Sequence, residues 1–181
     1  MRVITGTARG RRLETLPGND VRPTVERVKE ALFSAVQFEI ENAEVLDLFA
    51  GSGQLGIEAL SRGARLAVFV DAARPSCEVV KRNLASTGLA PGARVVQMDA
   101  LAYLRSTRET FDLAFLDPPY QSDLLTEALP LLAGRMSGAG IILCETPKKL
   151  ELPQRVGAFA VSRRYQYAST AITQYRREET A

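Results

Sequence analysis

The sequence contains no histidine in its 181 residues. That absence excludes every Ser–His or Cys–His nucleophile and every histidine-ligated metal centre. Cysteine is scarce as well: Cys77 and Cys144 are the only two. Alone they make neither a disulfide framework nor a thiolate metal site, so no metal is expected and the chain reads as a reduced, cytoplasmic protein. No apolar run approaches the roughly 20 residues that span a bilayer. The opening Met1-Arg2-Val3-Ile4-Thr5-Gly6 lacks the apolar core of a secretory signal. Whatever chemistry the chain performs must rest on carboxylates, backbone groups, aromatic rings and a bound cofactor.

What is present fits one domain with a single core, since 46% of residues are hydrophobic and 24% charged. The net charge is only +2, but it is unevenly placed. Residues 1–30 carry +3 and residues 152–177 carry +5, whereas residues 31–151 carry −4. Basic flanks around an acidic middle suit a polyanion held at the periphery and a cationic cofactor held centrally. Arg9, Arg11, Arg12, Arg22, Arg163 and Arg164 are the candidate phosphate contacts, with Lys148 and Lys149 weaker ones.

Residues 2–5 and 11–16 read as two short strands of an N-terminal hairpin or arm. Leu16–Asp20 is a loop by composition. Arg22-Pro23-Thr24 opens a helix with Thr24 as its N-cap, and Val25, Val28, Leu32 and Val36 form its apolar stripe. From residue 44 strands and helices alternate. Strands are predicted at 45–49, 66–70, 94–98, 113–116 and 141–144, and helices at 55–62, 75–87, 100–106 and 124–133. Two final strands at 156–164 and 167–175 read as a hairpin turning near Tyr165–Ala168. Strand–helix alternation predicts an α/β fold with a doubly wound, mostly parallel, seven-stranded sheet. With strand order 3-2-1-4-5, the first and fourth strands of the alternating set adjoin at the switch point, where ligands bind beyond the carboxyl ends of strands. Residues 1–20 are then a docking arm and 21–181 the main domain.

Two motifs fall on that switch point. Asp47-Leu48-Phe49-Ala50-Gly51-Ser52-Gly53-Gln54-Leu55-Gly56 contains a full Gly-x-Gly-x-x-Gly. Its glycines allow a tight turn and close backbone approach to a ligand, and the following helix presents free N–H groups. Asp71 ends the next strand, where a carboxylate suits ribose hydroxyls. Asp47 before the turn favours a cation over a pyrophosphate, and Phe49 followed by Ala50 makes the loop compact. Asp99, followed by Ala100, can serve an adenine amine, an ordinary N-cap, or both.

The second motif is Asp117-Pro118-Pro119-Tyr120, after the apolar run Leu113–Leu116. A conjugated exocyclic amine is a poor nucleophile. The Asp117 carboxylate and the Pro118 carbonyl can accept its two hydrogens, and consecutive prolines offer no competing N–H. Tyr120 offers a face for stacking the base. Together the two motifs point to methyl transfer from S-adenosylmethionine to a nucleobase amine that has left its helix.

Three segments carry a family resemblance. They are Arg22-Pro23-Thr24-x-x-Arg27-Val28-x-Glu30-x-Leu32-Phe33, Asp47–Gly56 continued by Glu58-Ala59-Leu60-Ser61-Arg62-Gly63, and Asp117–Tyr120. The combination resembles the bacterial 16S rRNA guanine-N2 methyltransferases of the RsmD family. The resemblance implies a class I methyltransferase fold with an N-terminal hairpin extension. It implies S-adenosylmethionine as donor, a guanine N2 in a loop of 16S rRNA as acceptor, and the assembling small ribosomal subunit as partner. By position, Asp117, Pro118 and Tyr120 match the target-amine site. Thr24, Asp47, Phe49, Gly51, Gly53, Asp71, Asp99 and Ala100 match the cofactor site, and Arg22, Pro23 and Thr24 a segment closing over it. Ala8 stands where the family often has an aromatic residue, and Ala72-Ala73 follow Asp71 where a second acid is common. A monomer is the expected state.

The residues alone leave other readings open: a DNA adenine-N6 methyltransferase, a nicotinamide oxidoreductase sharing the glycine turn, and a non-catalytic RNA-binding module.

Overall fold

Among the described residues of the computed structural model, eight strands form one sheet. The description covers residues 1–18, 23–119 and 123–180, with Pro23 and Thr24 described by their backbone alone. In chain order the strands are β1 (Glu44–Leu48), β2 (Leu66–Asp71), β3 (Ala93–Gln97), β4 (Phe111–Leu116), β5 (Met136–Pro147), β6 (Arg155–Val156), β7 (Phe159–Tyr167) and β8 (Thr170–Arg177). Their order across the sheet is β3-β2-β1-β4-β5-β8-β7-β6. The first five are mutually parallel, as expected for 3-2-1-4-5, and β8 returns antiparallel to β5. Leu46, Leu48, Val68, Val70, Ala114 and Leu116 are fully buried, in keeping with parallel strands covered on both faces.

One strand more than predicted is present, for a local reason. Gly157 adopts φ 57°, a left-handed turn that splits the expected 156–164 strand into β6 and β7. The β7–β8 hairpin turns at Ala168-Ser169, two to three residues later than predicted, with Ala168 at φ 48°.

Helices α1 (Pro23–Ala35), α2 (Gln54–Ser61) and α3 (Arg74–Thr87) cover one face, and α4 (Ala100–Ser106) and α5 (Asp123–Ala133) the other. In α1, Val28 and Leu32 of the predicted stripe are buried and Val25 is half-buried; Val36, just past its end, is also buried. Its start differs from the prediction: Pro23 already belongs to the helix, so Thr24 is an internal residue and not its N-cap. Proline suits a first helical position, having a fixed φ and no N–H to leave unpaired. Helix α3 ends as predicted at Gly88, which caps it at φ 73°. No helix among the described residues is long and apolar enough to cross a membrane.

The N-terminal arm closes as a short antiparallel hairpin: Arg2 bridges Arg12, Val3 N–H donates to the Arg11 carbonyl and Gly10 N–H to the Val3 carbonyl, each at 2.9 Å, and Leu13 N–H donates to the Met1 carbonyl at 2.8 Å. The residues that connect its two sides turn toward α2. The Glu58 carboxylate, fully buried, accepts the N–H groups of Ile4 and Thr5, each at 2.9 Å. Ser61 Oγ donates to the Thr5 carbonyl at 2.7 Å and accepts the Ala8 N–H at 3.0 Å. Gly6 sits against the Ser61 carbonyl so closely that a Cβ would lie 1.8 Å from it. Val3, Ala8 and Leu13 thereby join the same core cluster as α1 and α2.

Candidate functional site

The site is built where β1 and β4 end side by side. They pair in parallel with Asp47 opposite Phe115 and Leu48 opposite Leu116, so the glycine turn and the Asp-Pro-Pro segment leave the same end of adjacent strands. Phe115 packs with the α1–α2 face and Leu116 with the α4–α5 face. Alternation therefore puts Asp47 and Asp117 on the α1–α2 side of the sheet.

The turn after β1 is held from β2. Phe49 and Ala50 both donate to the Val70 carbonyl, at 3.0 and 2.9 Å, and Gly51 N–H donates to Asp71 Oδ2 at 2.9 Å. Phe49 takes φ 71°, a conformation that strains a bulky residue and is retained where surrounding contacts force it. Gly51 (φ 57°) and Gly53 (φ 81°) complete the turn, and a Cβ on Gly51 would meet no atom within 4 Å. The backbone there faces open space. Helix α2 follows with no side-chain cap on its first turn. At its first residue, Gln54 Oε1 is buried with no hydrogen-bond partner among the described residues.

Asp47 lies beneath this turn, 2% exposed, and accepts the Gly56 N–H at 2.9 Å. Burial pushes its carboxyl up to about 8, the Gly56 bond opposes that, and the charges of Asp117 and Asp71 add to it. Burial thus works against the anion expected there from sequence. Asp71 is half-buried, and its second oxygen accepts the Ala73 N–H at 2.9 Å. Each Asp71 oxygen retains a lone pair, so the carboxylate both fastens the glycine turn and can receive further donors. Asp99 caps α4 by accepting the Ala102 N–H at 2.9 Å, and Ala100 is buried behind it. Asp99 is exposed, and its other oxygen faces no partner among the described residues.

Just past the end of β4, Asp117 and Pro118 are half-buried. Burial raises the Asp117 carboxyl to about 6. Beside it on β5 is a carboxylate that the sequence reading missed, Glu145. Burial and the charge of Asp117 push it to about 8. Tyr120 and Arg22 lie outside the described residues, as does the Thr24 side chain.

A second missed residue is Asn83 on α3. It accepts the Glu14 N–H at 2.8 Å and donates to the Glu14 carbonyl at 3.0 Å and the Ser52 carbonyl at 2.9 Å. One side chain thus ties the end of the arm to the glycine turn. A polar residue one turn before a helix end carries no such signal in sequence.

The arginines divide. Arg9, Arg11 and Arg12 are exposed on the arm, with no salt bridge among the described residues. Arg163 is exposed and only grazes the Tyr165 hydroxyl at 3.5 Å. Arg164 donates to the Lys148 carbonyl at 2.7 Å and brackets the loop after β5.

A doubly wound parallel sheet in this order, with a glycine turn after β1 and an Asp-Pro-Pro segment after β4, defines a class I methyltransferase. The comparisons agree. The family model described as conserved hypothetical protein 95 matches residues 1–176. Ribosomal RNA small subunit methyltransferase D of Escherichia coli K12 is 36% identical over 180 residues, covering 98% of this chain and 90% of that one. A Bacillus subtilis protein named as a provisional rRNA methyltransferase, YlbH, is 39% identical over 182 residues, covering 98% and 99%. The solved structure of Escherichia coli yhhF superposes with a TM-score of 0.88 at 35% identity, covering 98% of each chain. The chain belongs to the ribosomal RNA small subunit methyltransferase D family, RsmD.

Proposed function

We propose that this protein transfers a methyl group from S-adenosylmethionine to the exocyclic N2 of a guanine in 16S rRNA, within the assembling small ribosomal subunit. The observation that carries the reading is the placement of the glycine turn and the Asp117-Pro118 segment on adjacent strands at one end of the sheet. The names of the family relatives support the rRNA assignment.

The residues fit the donor. The open backbone at Gly51, the uncapped start of α2, the unpartnered Gln54 Oε1 and the free lone pairs of Asp71 are a donor and acceptor set for an amino acid joined to a ribose. Gly51, Gly53, Phe49 and Asp47 would hold the methionine part, Asp71 the ribose, and Asp99 and Ala100 the adenine, with Thr24 in the closing segment. When bound, S-adenosylmethionine supplies a methyl group already activated by its sulfonium. Asp117 and the Pro118 carbonyl orient the acceptor amine by taking its two N–H hydrogens. Asp117, its carboxyl raised by burial to about 6, then receives the proton that the amine must shed. Tyr120 stacks the flipped base.

Residues 1–20 serve as the RNA-docking arm and 21–181 as the methyltransferase domain. Arg9, Arg11, Arg12 and Arg22 contact phosphates from one side, and Arg163 and Arg164 from another. The protein acts as a cytoplasmic monomer, with no metal. The test is a methylation assay offering free DNA, naked 16S rRNA and small-subunit particles. Label in N2-methylguanine of 16S rRNA is the expected result, and label in DNA adenine defeats the reading.

A further inference from the structure

Glu145 is unexplained by the chemistry above. It lies on β5, which pairs in parallel with β4 up to Leu116 opposite Cys144. One step further along both strands, Asp117 and Glu145 stand side by side, about 4.8 Å apart in strand spacing. Leu143 and Phe115 pack on the α1–α2 face, so alternation puts both carboxylates on that face, beyond them. Asp47 stands on β1 at the other side of Asp117, on the same face of the sheet, and the charge of Asp117 acts on both neighbours. On its other flank Glu145 faces Ile172 of β8, which is fully buried and offers no polar atom. Neither Glu145 nor Asp117 has a hydrogen bond or ion pair to any described side chain, and the buried ammonium of Lys29 is bound to Glu58 at 3.1 Å. No group of three metal-ligating side chains occurs among the described residues. Two adjacent, half-buried carboxyl groups with no cation beside them among the described residues call for a ligand edge that presents donors side by side.

Resting on the guanine reading above, we propose that Glu145 is a specificity-determining residue that accepts the N1–H of the target guanine while Asp117 accepts an N2–H. Guanine carries these donors on neighbouring ring positions. Adenine presents an acceptor at N1, which an ionised Glu145 repels; because burial holds the Glu145 proton to about 8, guanine displaces that proton as it binds, and the preference for guanine strengthens as pH rises toward 8. Glu145 has one methylene more than Asp117, which lets the neighbouring strand reach the next donor along the edge. Asp117 alone recognises an amine; the pair recognises an amine beside a ring N–H.

The test replaces the target guanine by 2-aminopurine, which keeps the N2 amine but has an unprotonated N1. Small-subunit particles reconstituted with either base are offered to the wild-type protein, Glu145→Gln and Glu145→Asp. Product formation is measured by mass spectrometry and binding by 2-aminopurine fluorescence. The wild-type protein is expected to favour guanine strongly. Glu145→Gln is expected to lose about 10- to 100-fold on guanine, the scale of one charge-assisted hydrogen bond, and to gain on 2-aminopurine because its amide N–H can donate to N1. Glu145→Asp keeps the acceptor and is expected to preserve the preference at a lower rate. Unchanged thermal unfolding and S-adenosylmethionine affinity in both variants exclude a folding defect. A guanine-to-2-aminopurine ratio that is the same in wild type and Glu145→Gln, whether or not both rates fall, overturns the proposal. Failure of the wild-type protein to form N2-methylguanine is a separate outcome, which removes the underlying reading of the reaction.

Discussion

A methyl group added at Gly56 would place its carbon 2.4 Å from the Phe69 ring. Phe69 is on β2 and fully buried, so the ring has nowhere to move. The glycine lets α2 lie against the sheet and lets its N–H reach Asp47. Gly56→Ala is expected to destabilise the protein by about 1–3 kcal/mol, the usual cost of overpacking a core. A urea midpoint equal to that of the parent would show that α2 can lift without cost. Of the three motif glycines, Gly51 faces open space and Gly56 faces protein, a division of labour that the repeated letter in the sequence does not reveal. Asp47 shows the same limit. Its position was legible, but its protonation depends on burial beneath the turn and on the neighbouring carboxylates, which only the assembled fold brings together.

Among the elements, α2 is the least ordinary. Leu55 through Ser61 are all buried, including Glu58 and Ser61 three residues apart on one face. The Glu58 carboxylate meets Lys29 at 3.1 Å and Arg62 at 3.0 Å while accepting two backbone N–H groups from the arm. Burial lowers the Lys29 ammonium below its ordinary value, and Glu58 pulls it part of the way back. The segment Glu58–Gly63 was legible as a family signature. Its physical role, anchoring residues 4–8, was not, because sequence does not say what covers a helix that is buried all round. The hairpin of the arm was itself legible; that the residues connecting its two sides bond to a helix was not. Ser61→Ala removes two of those bonds and is expected to cost about 1–3 kcal/mol. Amide hydrogen exchange is expected to accelerate in residues 4–8 while β1 and β4 keep their protection. Uniform acceleration across the chain would contradict a local anchoring role. The alternating strands and helices, by contrast, were readable from residue 44 onward, because each buried strand is a short apolar run bounded by polar turns.

At the scale of the whole molecule, the missing histidine simplifies the response to pH. With no imidazole present, the perturbed carboxyls dominate the response between pH 5 and 8. Asp47, Asp117 and Glu145 all hold protons more tightly when folded, their values rising from 3.8, 3.8 and 4.5 to about 8, about 6 and about 8. Between the unfolded and folded values the native state binds more protons than the unfolded chain. Stability is therefore full below about pH 4 as far as these groups are concerned, and falls as pH rises toward 8. The ligand-free protein is expected to show a lower urea midpoint at pH 8.5 than at pH 5.5. Asp47→Asn is expected to flatten that decline, recovering at least about 1.4 kcal/mol at pH 8.5, the worth of one pKa unit. A midpoint that rises with pH would contradict the placement of these carboxyls.

The reaction itself unites the scales, because it needs the turn after β1, the segment after β4 and a docked RNA at once. The most direct measurement is mass spectrometry of 16S rRNA nucleosides from cells lacking this protein, complemented with the wild-type chain or with Asp117→Ala at equal abundance. One N2-methylguanosine restored per small subunit by the wild type, and none by Asp117→Ala, is the result expected. Restoration by Asp117→Ala, or a wild-type chain that methylates some other position of the nucleobase, would contradict the account.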